Sequence, residues 1–311
     1  MAIDSKKLFE SLKKNDIGFF TGVPDSLLKD FCLCIDENVS SNNHIIAPNE
    51  GNAIALASGY YLATKKLPVV YMQNSGIGNA INPLLSLCDK EVYSIPIFLI
   101  IGWRGEPGIK DEPQHIKQGR IQLNLMKTLE IPFRIISSND SEFIEKVDFL
   151  AKKALNDNQP VALIVKKNTF KKFSKLKTTL NEDLLTREEA LEVILKGLDD
   201  SSAVISTTGK TSREIFEIRE KFNQSHKRDF LTVGSMGHCS SIALGIALQK
   251  SQKKVVCIDG DGAMLMHLGI LTSIANSKIT NFFHIVLNNE AHESVGGQET
   301  SAKKINLSDL V

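Results

Sequence analysis

Short runs of β-branched and aromatic residues alternate with helical patterns along nearly the whole chain, the sequence form of a parallel sheet covered by helices on both faces. In the first half the strand-like runs are "GFFTG", "HIIAP", "PVVYMQ", "IPIFLIIG", "FRIIS" and "PVALIVKK". Helices fall between them, most clearly at Glu50 to Thr64 and Ser141 to Leu155. The stretch "NTFKKFSKLKTTLNEDLL" is basic, weakly periodic and without a strand, so it predicts an interdomain linker at residues 169–185. A new unit opens at "TREEALEVILKGL", where Thr186 and Glu189 make a capping box and Gly197 a stop. Strands at "AVIST", "DFLTV", "KKVVCID" and "FFHIVLNN" follow. The expectation is an α/β protein of two doubly wound parallel-sheet domains, residues 1–168 and 186–311.

At 311 residues the chain can bury two cores of ordinary size. Its 37 basic and 36 acidic residues nearly cancel, so no overall field favours nucleic acid or an anionic membrane, and an anionic ligand needs local groups. The five cysteines form no CxxC pair and lie mostly in apolar runs, which fits a reducing cytoplasm. "MAIDSKKLFESLKK" reads as an amphipathic helix capped by Asp4 or Ser5 and lacks the apolar core of a secretory signal. No run approaches the roughly 20 apolar residues of a membrane span.

Two strand patterns end in small oxygen-bearing residues: "VVCIDGDGA" runs into Gly260-Asp261-Gly262, and "FFHIVLNN" into Asn288-Asn289. Ligands of an open parallel sheet sit at the carboxyl ends of its strands. The glycines let the backbone turn and approach a ligand, and a following helix offers N–H groups to phosphate. One carboxylate with one amide oxygen suits Mg²⁺, which takes few protein ligands beside phosphate oxygens. Either motif alone is a common turn. Gly-Asp-Gly followed after one helix and one strand by Asn-Asn is the signature of thiamin-diphosphate enzymes, and this sequence resembles it.

The resemblance extends to "TGVPDSLL" (Thr21 to Leu28), "NEGNAIALASGYYLAT" (Asn49 to Thr64), "NSGIGNAINPLLSL" (Asn74 to Leu87) and "GWRGEPGIKDEPQHIKQGR" (Gly102 to Arg120). It continues in "TTGKTSRE" (Thr207 to Glu214) and "GSMGHCSSIALGIAL" (Gly234 to Leu248). Together these are similar to the phosphonopyruvate decarboxylase family, whose near relatives are the sulfopyruvate decarboxylases. The resemblance implies a first domain that grips the cofactor's aminopyrimidine and a second that grips its diphosphate. Glu50 matches the glutamate that hydrogen-bonds the pyrimidine and starts the proton relay; a carboxyl in an apolar cleft has a raised pKa and can donate a proton. Asp261 and Asn289 match Mg²⁺ ligands, the backbone oxygen of Ala291 completes the protein's share, and Asn288 stands behind them. Met236 matches the wedge that bends the cofactor. Further cofactor contacts are implied at Gly76, Gly234, Ser235, Gly260, Gly262 and Ala263. Asp25 and Ser26 match polar residues at the active-site lip, and His115 joins them as a catalytic candidate. A substrate with a carboxylate and a phosphonate needs cations near its reacting centre, for which Arg104, Lys117, Arg120, Lys210 and Arg213 are candidates. The implied reaction is decarboxylation of 3-phosphonopyruvate to phosphonoacetaldehyde. The implied assembly is a homodimer or larger homo-oligomer, with two chains facing each cofactor.

Bland alternatives stand beside each assignment: Glu50 as a first-turn helix acid, Met236 as core, Asp25 or Ser26 as a helix cap, the cations as solvated surface charge. "GKTS" at Gly209 to Ser212 mimics a P-loop but has Val204 where that motif needs glycine. Glu290 stands where the family more often has glycine, and "QETSAKK" departs from its usual continuation. The chain reaches Val311 soon after the Asn pair, so the expectation is a second domain incomplete at its C-terminus. The alternative functions are sulfopyruvate decarboxylation, or a truncated cofactor-binding module without activity of its own.

Overall fold

The computed structural model describes residues 2–173 and 184–310. The chain divides into two units, Met1–Lys175 and Leu176–Val311. The first carries β1 (Phe20–Gly22), β2 (His44–Ile46), β3 (Val69–Gln73), β4 (Phe98–Gly102), β5 (Phe133–Ile136) and β6 (Val161–Val165). Its helices are α1 (Ser5–Lys14), α2 (Lys29–Asn38), α3 (Glu50–Thr64), α4 (Ile77–Pro83), α5 (Pro113–Thr128) and α6 (Phe143–Asp157). The second carries β7 (Ala203–Ser206), β8 (Asp229–Leu231), β9 (Val255–Gly260) and β10 (Phe282–Leu287), with α7 (Arg187–Lys196), α8 (Lys210–Lys221), α9 (Cys239–Gln249), α10 (Asp261–Met266) and α11 (Ile270–Ser277). Every strand read from the sequence is present.

The six strands of the first unit form one parallel sheet in the order β2-β1-β3-β4-β6-β5. Strands β4 and β6 are apolar at every position because both faces are covered. Phe98 and Ile100 of β4 pack with Leu12 of α1, Phe31 of α2 and Leu150 of α6. Leu99 and Ile101 pack with Ile54 of α3, Ala80 of α4 and Met126 of α5. Burying each of these leucine, isoleucine, phenylalanine and methionine side chains is worth about 1.5–3 kcal/mol. The four long strands of the second unit form a parallel sheet in the order β10-β9-β7-β8. Val256 and Ile258 face α7 and α8, whereas Val255 and Cys257 face α9.

Residues 174–183 of the expected linker lie outside the described residues. The start of that segment belongs to the first unit, which moves the boundary beyond residue 168. Ile3 N donates to Thr169 O and Lys171 N to Ile3 O, both at 2.8 Å. Phe170 is buried against Phe31, with ring centroids 6.0 Å apart, and Phe173 N donates to Asp30 Oδ1 at 2.8 Å. The apolar area of Phe170 holds the chain on α2 where charge composition alone suggests a tether. No helix among the described residues is long and apolar enough to cross a membrane.

Candidate active site

Parallel pairing aligns the carboxyl ends of β1, β3 and β4, and the first unit places its polar residues there. Asp25 follows β1 and is fully buried. Its Oδ1 accepts from Gln73 Nε2 at 2.7 Å and its Oδ2 from Leu27 N at 3.2 Å. Burial pushes the Asp25 carboxyl up, more than the Gln73 hydrogen bond and the Arg104 charge pull it down. Gly102 closes β4 against it: a β-carbon there would stand 2.0 Å from Asp25 Oδ2, so this position needs the missing side chain.

Glu50 opens α3, whose N-cap Asn49 accepts from Asn52 N. Glu50 is only 4% exposed, and Asn79 Nδ2 on α4 donates to its Oε2 at 2.8 Å. Burial raises this carboxyl as well, against the lowering effect of Asn79. A β-carbon on Gly76 would stand 2.1 Å from Glu50 Oε1. The helix dipole reading of Glu50 explains a first-turn acid but not one that is buried, and a surface acid would not need Gly76.

Arg104 follows β4 and is locked in place. Its Nε donates to Asp111 Oδ2 at 2.8 Å, its Nη2 to Asp111 Oδ1, and its Nη1 to Ser26 Oγ at 3.0 Å. Asp111 also accepts from Gly105 N and Glu112 N, and the Arg104 guanidinium holds its carboxyl far below the usual carboxylate range. Arg104 is therefore an ion-paired guanidinium and not a free cation. His115, in the first turn of α5, is half-buried, and its Nδ1 has no hydrogen-bond partner among the described residues. Burial and then the Arg104 charge lower its pKa, which leaves the imidazole neutral at neutral pH. Lys117 and Arg120 are exposed on α5.

In the second unit the register pairs Gly260 with Leu287, so Asp261 and Asn288-Asn289 leave neighbouring strands at the same sheet end. Asp261 is buried, and its Oδ2 accepts from Thr300 Oγ1. Thr300 arrives on a short antiparallel hairpin, β11 (Ala291–His292) with β12 (Gln298–Glu299), that turns at Gly296 and Gly297 with φ of 140° and 76°. His292 lies over Gly262, where a β-carbon would stand 2.9 Å from His292 Cε1. Burial lowers the His292 pKa, with the Asp261 charge acting in the opposite sense. Gln298 is buried with both amide atoms unpartnered among the described residues.

The turn before the hairpin explains why glycine is expected at position 290. Glu290 adopts φ 57°, in the left-handed region, held by Asn288 Oδ1 accepting from its N–H and by Thr300 N donating to its carbonyl. Asn289 is exposed, and its Oδ1 accepts from Ala291 N at 3.1 Å. Gly234, Ser235 and Met236 lie in the loop before α9, with Ser235 at φ 57° and its Oγ 3.0 Å from His238 Nδ1. That loop meets α10 at Gly237, where a β-carbon would stand 2.9 Å from Ala263 O. Met236 is half-buried. Lys210 and Arg213 are exposed on α8, and Lys210 Nζ pairs with Glu293 at 2.5 Å.

The residues fit a hard cation with a diphosphate. An acid, an amide oxygen and a backbone carbonyl are the donor types Mg²⁺ takes, and the orphaned Gln298 amide wants a polar partner. The partners Gln73, Asn79, Asp111, Thr300, His292 and Gln298 were not identified from the sequence pattern. Only "QETS" pointed near Thr300 and Gln298, and as a departure from family form.

The comparisons with known proteins agree with this division. Residues 5–126 match the thiamine pyrophosphate enzyme N-terminal TPP binding domain, and residues 208–309 the C-terminal TPP binding domain. A phosphonopyruvate decarboxylase of Streptomyces viridochromogenes is 33% identical over 92% of this chain and 73% of its own. A phosphonopyruvate decarboxylase of Streptomyces hygroscopicus is 32% identical over 86% of this chain and 68% of its own. A sulfopyruvate decarboxylase of Methanosarcina acetivorans is 28% identical over 96% and 78%. The chain belongs to the thiamin-diphosphate-dependent decarboxylases, in the phosphonopyruvate decarboxylase family.

Proposed function

We propose that the protein decarboxylates 3-phosphonopyruvate to phosphonoacetaldehyde. The observation that carries this reading is the pair of buried carboxyls, Asp25 and Glu50, at the carboxyl edge of one sheet, both raised by burial. The reaction breaks the bond from the carboxylate carbon to the carbonyl carbon, releases CO2 and takes up a proton at that carbonyl carbon. Carboxyls whose proton affinity is raised by burial suit such a proton balance. Bound thiamin diphosphate supplies the electron sink.

Glu50 would hold the aminopyrimidine through its Oε1, which lies against Gly76, while Asn79 fixes the other oxygen. Asp25, oriented by Gln73, would supply a second acid group, and Ser26 is tied to Arg104. Gly76, Gly234, Ser235, Met236, Gly260, Gly262 and Ala263 would line the cofactor. Asp261, Asn289 and the Ala291 carbonyl would hold Mg²⁺, with Asn289 giving up its hydrogen bond to Ala291. Lys117, Arg120, Lys210 and Arg213 are the exposed cations proposed for the substrate's anionic groups, whereas Arg104, its guanidinium committed to Asp111 and Ser26, holds the loop after β4 in place. The five cysteines are free and buried, which supports a cytoplasmic setting.

Turnover of 3-phosphonopyruvate and sulfopyruvate side by side tests the substrate, with cofactor binding measured on the same preparation. Faster turnover of the sulfonate makes the protein a sulfopyruvate decarboxylase; cofactor binding without CO2 release makes it an inactive module.

We infer further that the working form is a homodimer at least, each site drawing Glu50 and Asp261 from different chains, as the resemblance implies. Mixing a Glu50→Gln chain with an Asp261→Ala chain is expected to restore about a quarter of wild-type activity: half of randomly formed dimers are mixed, and one of their two sites keeps both residues. No recovery after confirmed subunit exchange would assign both residues of a site to one chain.

A further inference from the structure

Cys257 and Asp259 alternate on β9, so both side chains leave the same face of the sheet, the face that α9 covers. His284 on β10 is the register partner of Cys257 and shares that face. Cys239 is the first residue of α9 and packs down onto them. Cys239, Cys257 and Asp259 are all buried, and their ligand atoms lie within 4.8 Å of one another. The mechanism uses none of the four.

The distances discriminate between explanations. Cys239 Sγ and Cys257 Sγ stand 3.7 Å apart. A disulfide needs about 2.05 Å, a closure of well over an ångström inside a packed core. Two thiolates on one tetrahedral zinc ion, each bonded at about 2.3 Å, stand about 3.8 Å apart. The opposite edge agrees: His284 Nε2 is 3.4 Å from Asp259 Oδ2. A nitrogen and an oxygen bonded to that ion at roughly 2.0–2.2 Å would also stand about 3.4 Å apart. As a hydrogen bond, 3.4 Å is long, and the fully buried Asp259 carboxylate also accepts from Gly260 N at 3.0 Å and from the Cys239 thiol.

We propose that Cys239, Cys257 and Asp259, with His284 beside Asp259 as the nearest further ligand, form a buried site for a thiophilic divalent cation of the zinc kind. Two sulfurs, a nitrogen and an oxygen select such an ion over Mg²⁺, which prefers oxygen alone. The ion ties β9 and β10 to the start of α9, directly after the Gly234 to His238 loop, and so braces that loop.

Cobalt reads the site without reference to turnover. Co²⁺ added to the chelator-treated full chain should give a near-ultraviolet thiolate-to-cobalt band that saturates at one ion per chain. Zn²⁺ should erase it and excess Mg²⁺ leave it. Cys239→Ala and Cys257→Ala should each weaken Co²⁺ binding by about tenfold or more, and Asp261→Ala should not. Where an alanine variant fails to fold, X-ray absorption of the wild-type zinc complex reads the same ligands, with two sulfur scatterers at about 2.3 Å expected. The proposal falls with an absent band, a band unchanged in both cysteine variants, or a zinc shell without sulfur. An intact mass two hydrogens short, the mark of a Cys239–Cys257 disulfide, also overturns it.

Discussion

Glu50→Gln should lower turnover by about 10²- to 10⁴-fold, the usual range for loss of a general acid or base, while making the apoprotein more stable at neutral pH. Both effects come from burial. The wild-type carboxyl is pushed up by desolvation, and Asn79 offsets only part of this. Glutamine keeps the shape and an oxygen for Asn79 to bond, but it has no exchangeable acid proton. The stability sign follows from linkage. Below the unfolded value of about 4.3 both states of the wild type hold the proton, and the two proteins should differ least. As pH rises through the raised folded value, the wild type loses stability that the glutamine chain keeps. Melting temperatures of both apoproteins across acid to neutral pH measure this. A second readout is deuterium exchange at C2 of bound thiamin diphosphate, which should slow with turnover. Unchanged exchange, or a gap between the proteins that closes as pH rises, would remove Glu50 from the proton relay.

The strands were legible because a sheet covered on both faces writes itself as unbroken apolar runs. "FLIIG" of β4 sends successive residues into two cores. The hairpin at Ala291 to Glu299 was not legible. Its strands have two residues each, too few for a period, and its register depends on the turn at Gly296-Gly297. The linker boundary was misplaced because lysine-rich composition outweighed Phe170 in the reading, whereas in the fold one buried aromatic ring and three backbone N–H bonds decide.

The candidate site divides in the same way. Asp261 and the Asn pair stand out because small oxygen-bearing residues directly after strands mark the ligand edge of a parallel sheet, whereas Asp25 and Glu50 come forward only through the family resemblance. Their partners were not legible. Asn79 reaches Glu50 across 29 positions, Gln73 reaches Asp25 across 48, and Thr300 reaches Asp261 across 39. Such pairs depend on which helices and loops meet, and periodicity carries no record of that. Arg104 shows the cost: it read as a cation for the substrate, but Asp111, seven positions on, pairs with it. Whether a charge is free depends on its neighbours in space.

Asp261→Ala should abolish the stabilisation that thiamin diphosphate and Mg²⁺ together give the wild type, about 2.7 kcal/mol at a cofactor concentration 100 times its Kd. Neither addition alone should stabilise the wild type to that extent, because Asp261 and Asn289 are a partial shell that phosphate oxygens complete. The alanine change has a second consequence. Thr300 Oγ1 loses its buried acceptor, so the hairpin of β11 and β12 loses its anchor on α10 and the apoprotein should be weakened by about 1–3 kcal/mol. Two further variants separate anchor from ligand. Asp261→Asn keeps an oxygen for Thr300 but not the charge, so it should preserve the apoprotein's melting temperature and lose the response to cofactor. Thr300→Val removes the hydroxyl but leaves the carboxylate, so it should lower the melting temperature and keep the response. Titration of thermal stability with cofactor, with Mg²⁺ and with both, repeated in excess chelator, reads all four proteins. If cofactor in chelator stabilises the wild type as much as cofactor with Mg²⁺, or if Asp261→Asn responds like the wild type, then Asp261 serves only to hold the hairpin.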